Sequence, residues 1–134
     1  MDALEILVQH EIKPSLQRLA VMQYMLTHFT HPTVDEIYNS LAPSIPTLSK
    51  TTIYNTLSLF EEQGVVLYLG IDKKNARFDG NTSRHAHFLC KKCGDIIDIM
   101  NQKEEQVVLE NHPELIIDEV QTYYTGYCKN CNKH

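Results

Sequence analysis

No apolar run among the 134 residues approaches the roughly 20 that a membrane span requires, the longest candidate being Val65 to Leu69. The N-terminus, Met1-Asp2-Ala3-Leu4-Glu5, lacks the basic-then-apolar pattern of an export signal. A soluble, cytoplasmic protein with no membrane partner is therefore expected. Positive charge is scarce as well: 12 Lys and Arg face 17 Asp and Glu, for a net charge of −5. Indiscriminate coating of nucleic acid draws most of its free energy from neutralised phosphates, so that class of function is excluded and any polyanion must be met by a local patch. There is no internal repeat and no low-complexity tract, which excludes a repeat architecture.

Cysteine is confined to four positions in two Cys-x-x-Cys pairs, Cys90-Lys91-Lys92-Cys93 and Cys128-Lys129-Asn130-Cys131. Zn²⁺ has no geometric preference of its own, and two such turns can each offer two thiolates to a tetrahedron. One structural zinc per subunit, tying the C-terminal tail to the region near residue 90, is the reading this spacing favours. The rivals are two disulfides or a catalytic thiol pair, and nothing upstream points to an oxidising compartment.

The 43% hydrophobic content supports one compact domain or two very small ones, and the zinc staple favours two. After Pro14, the residues Leu16, Leu19, Met22 and Leu26 form the stripe of an amphipathic helix from Ser15 to about Thr27. Thr33 stands three residues before Glu36, a capping box for a second helix carrying Val34, Ile37, Tyr38 and Leu41. Pro43 and Pro46 bracket a turn, and Ser49 caps a third helix, Lys50 to Gln63, that ends at Gly64. Val65 to Leu69 and Ala76 to Phe78 read as a hairpin, and three helices with a hairpin make a winged helix. The small polar stretch from Asp79 to Ser83 is the expected domain boundary. Beyond it we expect strands near His87 to Leu89 and Ile96 to Met100, a helix from about Lys103 to Asn111, and a strand around Leu115 to Tyr124. The segment Leu4 to Gln9 carries no interpretable motif.

These elements predict an α+β chain: residues 1–80 a winged helix-turn-helix DNA-binding domain, 81–84 a hinge, and 85–134 a small α/β metal-binding dimerisation domain. A recognition helix packs one face on its scaffold and lays the N-terminal half of the other in the major groove. On the Lys50 to Gln63 helix, the outward set is Lys50, Thr51, Thr52, Tyr54, Asn55 and Ser58, residues able to bond phosphates and base edges. Glu61 and Glu62 fall at the far end. An ordinary solvated helix face would look the same. Lys73, Lys74 and Arg77 cluster in or beside the hairpin, where a phosphate backbone would lie, although a solvated turn would also read this way. Residues 1–80 hold six basic against nine acidic side chains, so one copy should bind weakly and a symmetric homodimer is required.

A second constellation is His31, Asp79, His85, His87 and Asp98. Alternate residues of a strand point the same way, so His85-Ala86-His87 would present both imidazoles on one face. Solvated or hydrogen-bonded histidines remain the plain alternative to a metal role.

Thr51-Thr52-Ile53-Tyr54-Asn55-Thr56-Leu57, His85-Ala86-His87-Phe88-Leu89-Cys90-Lys91-Lys92-Cys93-Gly94 and Gly126-Tyr127-Cys128-Lys129-Asn130-Cys131 together resemble the ferric uptake regulator family over nearly the whole chain. That resemblance implies a metal-dependent dimeric repressor of double-stranded operator DNA. It is most similar to the peroxide-sensing branch, which implies that His31, Asp79, His85, His87 and Asp98 hold one regulatory Fe²⁺ or Mn²⁺ per subunit. It implies further that Fe²⁺-mediated oxidation of His31 or His85 releases DNA. The stretch Asp118-Glu119-Val120-Gln121-Thr122 lacks histidines that many relatives carry, so a further metal site is not expected. The alternatives are an iron- or manganese-responsive repressor without peroxide sensing, a small metalloenzyme, and a zinc-stabilised interaction module.

Overall fold

The structure, a computed structural model, describes residues 1–83, 85–100 and 109–132. Its contacts divide the chain into two units, Met1–Thr82 and Ser83–His134. The first contains α1 (Ala3–Gln9), α2 (Leu16–Thr27), α3 (Val34–Leu41), α4 (Lys50–Glu62), β1 (Leu67–Leu69) and β2 (Arg77–Asp79). Each helix begins where a short polar side chain satisfies an orphan amide: Asp2, Ser15, Thr33 and Ser49 accept from the N–H groups of Glu5, Arg18, Glu36 and Thr52. Of the capping box expected at Thr33, the hydroxyl half forms, whereas the Glu36 carboxylate faces the Arg77 guanidinium at 3.8 Å.

At its other end α4 closes by two bonds, from Gly64 N–H to Glu61 O and from Val65 N–H to Phe60 O, with Gly64 at φ +78°. This paired closure needs a left-handed residue, so a glycine sits where the chain turns into the wing. β1 and β2 then pair antiparallel with Leu67 opposite Asp79. Leu7, Val21, Met22, Met25, Ile37, Ile53, Leu57, Phe60, Val66 and Phe78 make one buried core. The helix α1 was not foreseen from its residues. Seven residues are too few to persist alone, and the fully buried Leu7 holds α1 on that core.

The second unit is a three-stranded sheet of β3 (Ala86–Cys90), β4 (Ile96–Ile99) and β5 (Tyr123–Gly126) in the order β4-β3-β5. β4 runs antiparallel and β5 parallel to β3. The expectation of a strand around Leu115 to Tyr124 is corrected: only Tyr123–Gly126 is a strand, because only there does the backbone find the β3 ladder. Of the helix expected over Lys103 to Asn111, residues 103–108 lie outside the described residues, and Glu110 and Asn111 form a turn. Among the described residues of this unit, the buried apolar side chains are Ala86, Cys90 and Cys128. So small a core calls for a covalent or metal staple.

Candidate metal centres and nucleic-acid interface

The parallel pairing of β3 with β5 sets Cys90 opposite Gly126, and Lys91 N–H donates to Gly126 O at 2.7 Å. Both Cys-x-x-Cys turns therefore leave the sheet at the same end. All four Sγ atoms lie within 4.8 Å of one another, and Cys93 Sγ is 3.8 Å from Cys128 Sγ. Zn–S bonds of about 2.3 Å set tetrahedron edges of about 3.8 Å, so the thiols fit a four-thiolate zinc site. Four free thiols that meet as one cluster match a single shared ion better than two separate disulfides. Cys90 Sγ accepts the N–H groups of Cys93 and Cys128, and these bonds pull its thiol down to about 6 against the cost of burial. Cys131 moves the other way, to about 12, pushed first by the thiol contact with Cys128 and then by burial.

Each unit also carries an imidazole–carboxylate set. In the first, His31 Nε2 lies 3.6 Å from Asp79 Oδ2, with both side chains nearly fully buried. Asp79 Oδ1 accepts Asn81 N–H at 2.9 Å, which leaves Oδ2 turned to the ring. His31 sits at φ +59°, an uncommon conformation for a non-glycine residue and more so before a proline. In the second unit the β3–β4 register places Asp98 opposite His87. His85, just before β3, joins them: Asp98 Oδ1 lies 3.3 Å from His85 Nε2 and 3.4 Å from His87 Nε2. His85 Nδ1 faces Ser83 O at 2.7 Å, which orients the ring. Nitrogen and carboxylate donors of this kind fit a divalent iron or manganese ion, in contrast to the four thiolates.

On α4 the buried face is Ile53, Thr56, Leu57 and Phe60. Thr51, Tyr54 and Asn55 are exposed, as is Lys50, whose Nζ lies 3.2 Å from Asp35 and 5.5 Å above the Tyr38 ring. Thr52 is half-buried, and its hydroxyl bonds Ser49 at the helix cap. Glu61 and Glu62 are not remote from the outward set: with Tyr54, Ser58, Tyr68 and Phe78 they line an open cleft of about 320 Å³ between α4 and the wing.

The wing departs from expectation at Arg77. Lys73 and Lys74 are exposed at the turn, but the Arg77 side chain points inward, donating from Nε to Asp72 at 3.0 Å and from a terminal nitrogen to the His31 carbonyl at 3.1 Å. Half-buried and holding two acceptors, Arg77 is turned away from the phosphate-facing set. No pattern in the residues could have signalled this bond, because its ends stand 46 positions apart.

A winged helix joined to a small sheet that carries a four-thiol cluster and imidazole–carboxylate donors is the build of a metal-responsive transcriptional repressor. The profile of the Ferric uptake regulator family matches residues 9–122. The peroxide-responsive repressor PerR of Staphylococcus epidermidis is 34% identical, over 94% of this chain and 93% of that one. PerR of Staphylococcus aureus is 33% identical, over 92% and 93%. Among solved structures, PerR from Streptococcus pyogenes superposes with a TM-score of 0.55 at 29% identity, over 98% of this chain and 95% of that one. The Helicobacter pylori ferric uptake regulator Fur, at 22% identity, matches the fold alone, with a TM-score of 0.74 over 97% and 89% of the two chains. The chain belongs to the ferric uptake regulator family, and it is a PerR-like transcriptional regulator and not an enzyme.

Proposed function

We propose that this protein is a homodimeric repressor that binds operator DNA when loaded with Fe²⁺ or Mn²⁺ and releases it on exposure to peroxide. The observation that carries this reading is the separation of donor chemistry: four thiols in one cluster, and buried imidazoles with carboxylates elsewhere. Cys90, Cys93, Cys128 and Cys131 hold structural zinc. His31 and Asp79 from the first unit act with His85, His87 and Asp98 from the second on one regulatory ion. Bound Fe²⁺ would supply the reducing chemistry that breaks the peroxide O–O bond; one oxygen atom would end on the imidazole of His31 or His85, weakening that donor, and the other leave as water. The similarity to peroxide-responsive repressors supports this branch over simple iron response.

Lys50, Thr51, Thr52, Tyr54 and Asn55 reach the operator from α4. The ion acts by its differential affinity for the DNA-competent arrangement, and roughly 5.5 kcal/mol of difference inverts a 1:99 population. Dimerisation through the second unit is supported by its exposed apolar side chains, among them Ile97, Leu115, Ile116, Tyr123 and Tyr127. The test uses duplexes selected from a random pool by the Mn²⁺-loaded protein. Binding should fall sharply with chelator and with His31→Ala, and equal affinity in all three states ends the proposal. Mass spectrometry of the Fe²⁺ form after peroxide should find added oxygen on His31 or His85, with DNA released; a protein that stays on DNA is a metal-responsive repressor without peroxide sensing.

A further inference from the structure

The first unit contains a continuous linkage from its imidazole–carboxylate pair to the wing turn. β2 carries both ends of it: Asp79, facing His31, and two residues earlier Arg77. Strand β2 also grips the segment that carries His31, through Phe78 N–H to Pro32 O at 3.1 Å and a bridge between Thr33 and Arg77. The Arg77 guanidinium then spans two places. One terminal nitrogen donates to the carbonyl of His31, the residue held at φ +59°, and Nε donates to Asp72 Oδ2. The same Asp72 carboxylate, through Oδ1, accepts the N–H groups of Lys74 at 2.9 Å and Asn75 at 3.3 Å, which shapes the turn bearing Lys73 and Lys74.

We propose that Arg77 is a positioning residue that couples a cation held by His31 and Asp79 to the order of the wing turn. A planar guanidinium can hold two acceptors in fixed directions at once, which a single ammonium cannot. An ion that fixes the His31 ring fixes its backbone, Arg77 passes that restraint to Asp72, and Asp72 tightens the amides of Lys74 and Asn75. Linkage is reciprocal, so an ordered turn in its place strengthens ion binding by the same factor. The exposed lysines Lys73 and Lys74 are thereby readied for phosphate, although Arg77 itself meets none.

This inference rests on His31 and Asp79 being metal ligands, and the experiment separates the two claims. Amide exchange of the turn segment holding Lys74 and Asn75 is measured by mass spectrometry in the zinc-loaded protein, with and without Mn²⁺ alone and no DNA. Mn²⁺ should slow exchange of that segment about fivefold or more in the wild type. In Arg77→Gln and in Asp72→Asn that slowing should vanish, while Asp72→Asn, at the wing turn and outside the buried apolar core, keeps its fold and still binds Mn²⁺, with an affinity lowered by no more than the lost coupling factor. Mn²⁺ binding that His31→Ala abolishes, with wing exchange unchanged in the wild type, overturns the coupling and leaves the metal site standing. Slowing that survives in both variants overturns the role of Arg77. Mn²⁺ binding indifferent to His31→Ala overturns the metal reading and the coupling with it.

Discussion

Asp79 is among the most constrained residues of the chain: fully buried, with one carboxylate oxygen on Asn81 N–H and the other beside the His31 ring. Its neighbour Gly80 shares the constraint, since a Cβ there would lie 2.5 Å from the Met25 carbonyl oxygen on α2. No side-chain rotation relieves a clash between a Cβ and backbone, so the strand end carrying Asp79 would have to move. Gly80→Ala should lower stability to urea by about 1–3 kcal/mol and weaken Mn²⁺ binding, read by chemical denaturation and by competition with a metal indicator. Unchanged Mn²⁺ affinity would mean that Asp79 tolerates a displaced backbone.

At the scale of single elements, the wing is two three-residue strands closed by a turn, too little to hold shape without its polar ties. Asp72 supplies three of them. The Lys74 N–H first, then the Arg77 guanidinium and the Asn75 N–H, hold its carboxyl below the ordinary value. A carboxylate whose folded pKa is depressed adds stability that is complete above its unfolded value near about 4 and is lost as pH falls through the lower folded value. Asp72→Asn should therefore be less stable than wild type at neutral pH, and the gap should narrow below about pH 4. Thermal melts at a series of pH values check this, and a pH-independent gap would show that the charge of Asp72 contributes nothing.

For the molecule as a whole, the four-thiol cluster reinforces the small core formed by the described residues of the second unit. Cys90 is pulled toward its thiolate while Cys131 is pushed toward its thiol, so without an ion the four do not all ionise near neutral pH. Zinc binding must then expel protons, and its affinity should climb as the buffer goes from about pH 6 to about pH 8. Stripping zinc, or Cys131→Ser, should unfold the second unit and with it break the proposed dimer, since structural zinc binding is folding free energy. Sedimentation of the metal-free protein measures this, and a well-folded zinc-free dimer would remove the cluster from any structural role.

Much of this organisation was already written in local patterns. Caps at Ser15, Thr33 and Ser49, the stripe on α4 and the two Cys-x-x-Cys pairs are short-range signals, so three helices, the hairpin and the thiol cluster could be read from residue order. Distant pairings could not. The helix α1 depends on burial of Leu7, the short β5 depends on finding β3, and the inward turn of Arg77 depends on a carbonyl 46 positions away. Residue types and their spacing decide which chemistry a chain can do, because donors and stripes are local. Which donors meet, and which charged side chain becomes a strut instead of a contact, is decided by pairing register and packing, which exist only once remote segments come together.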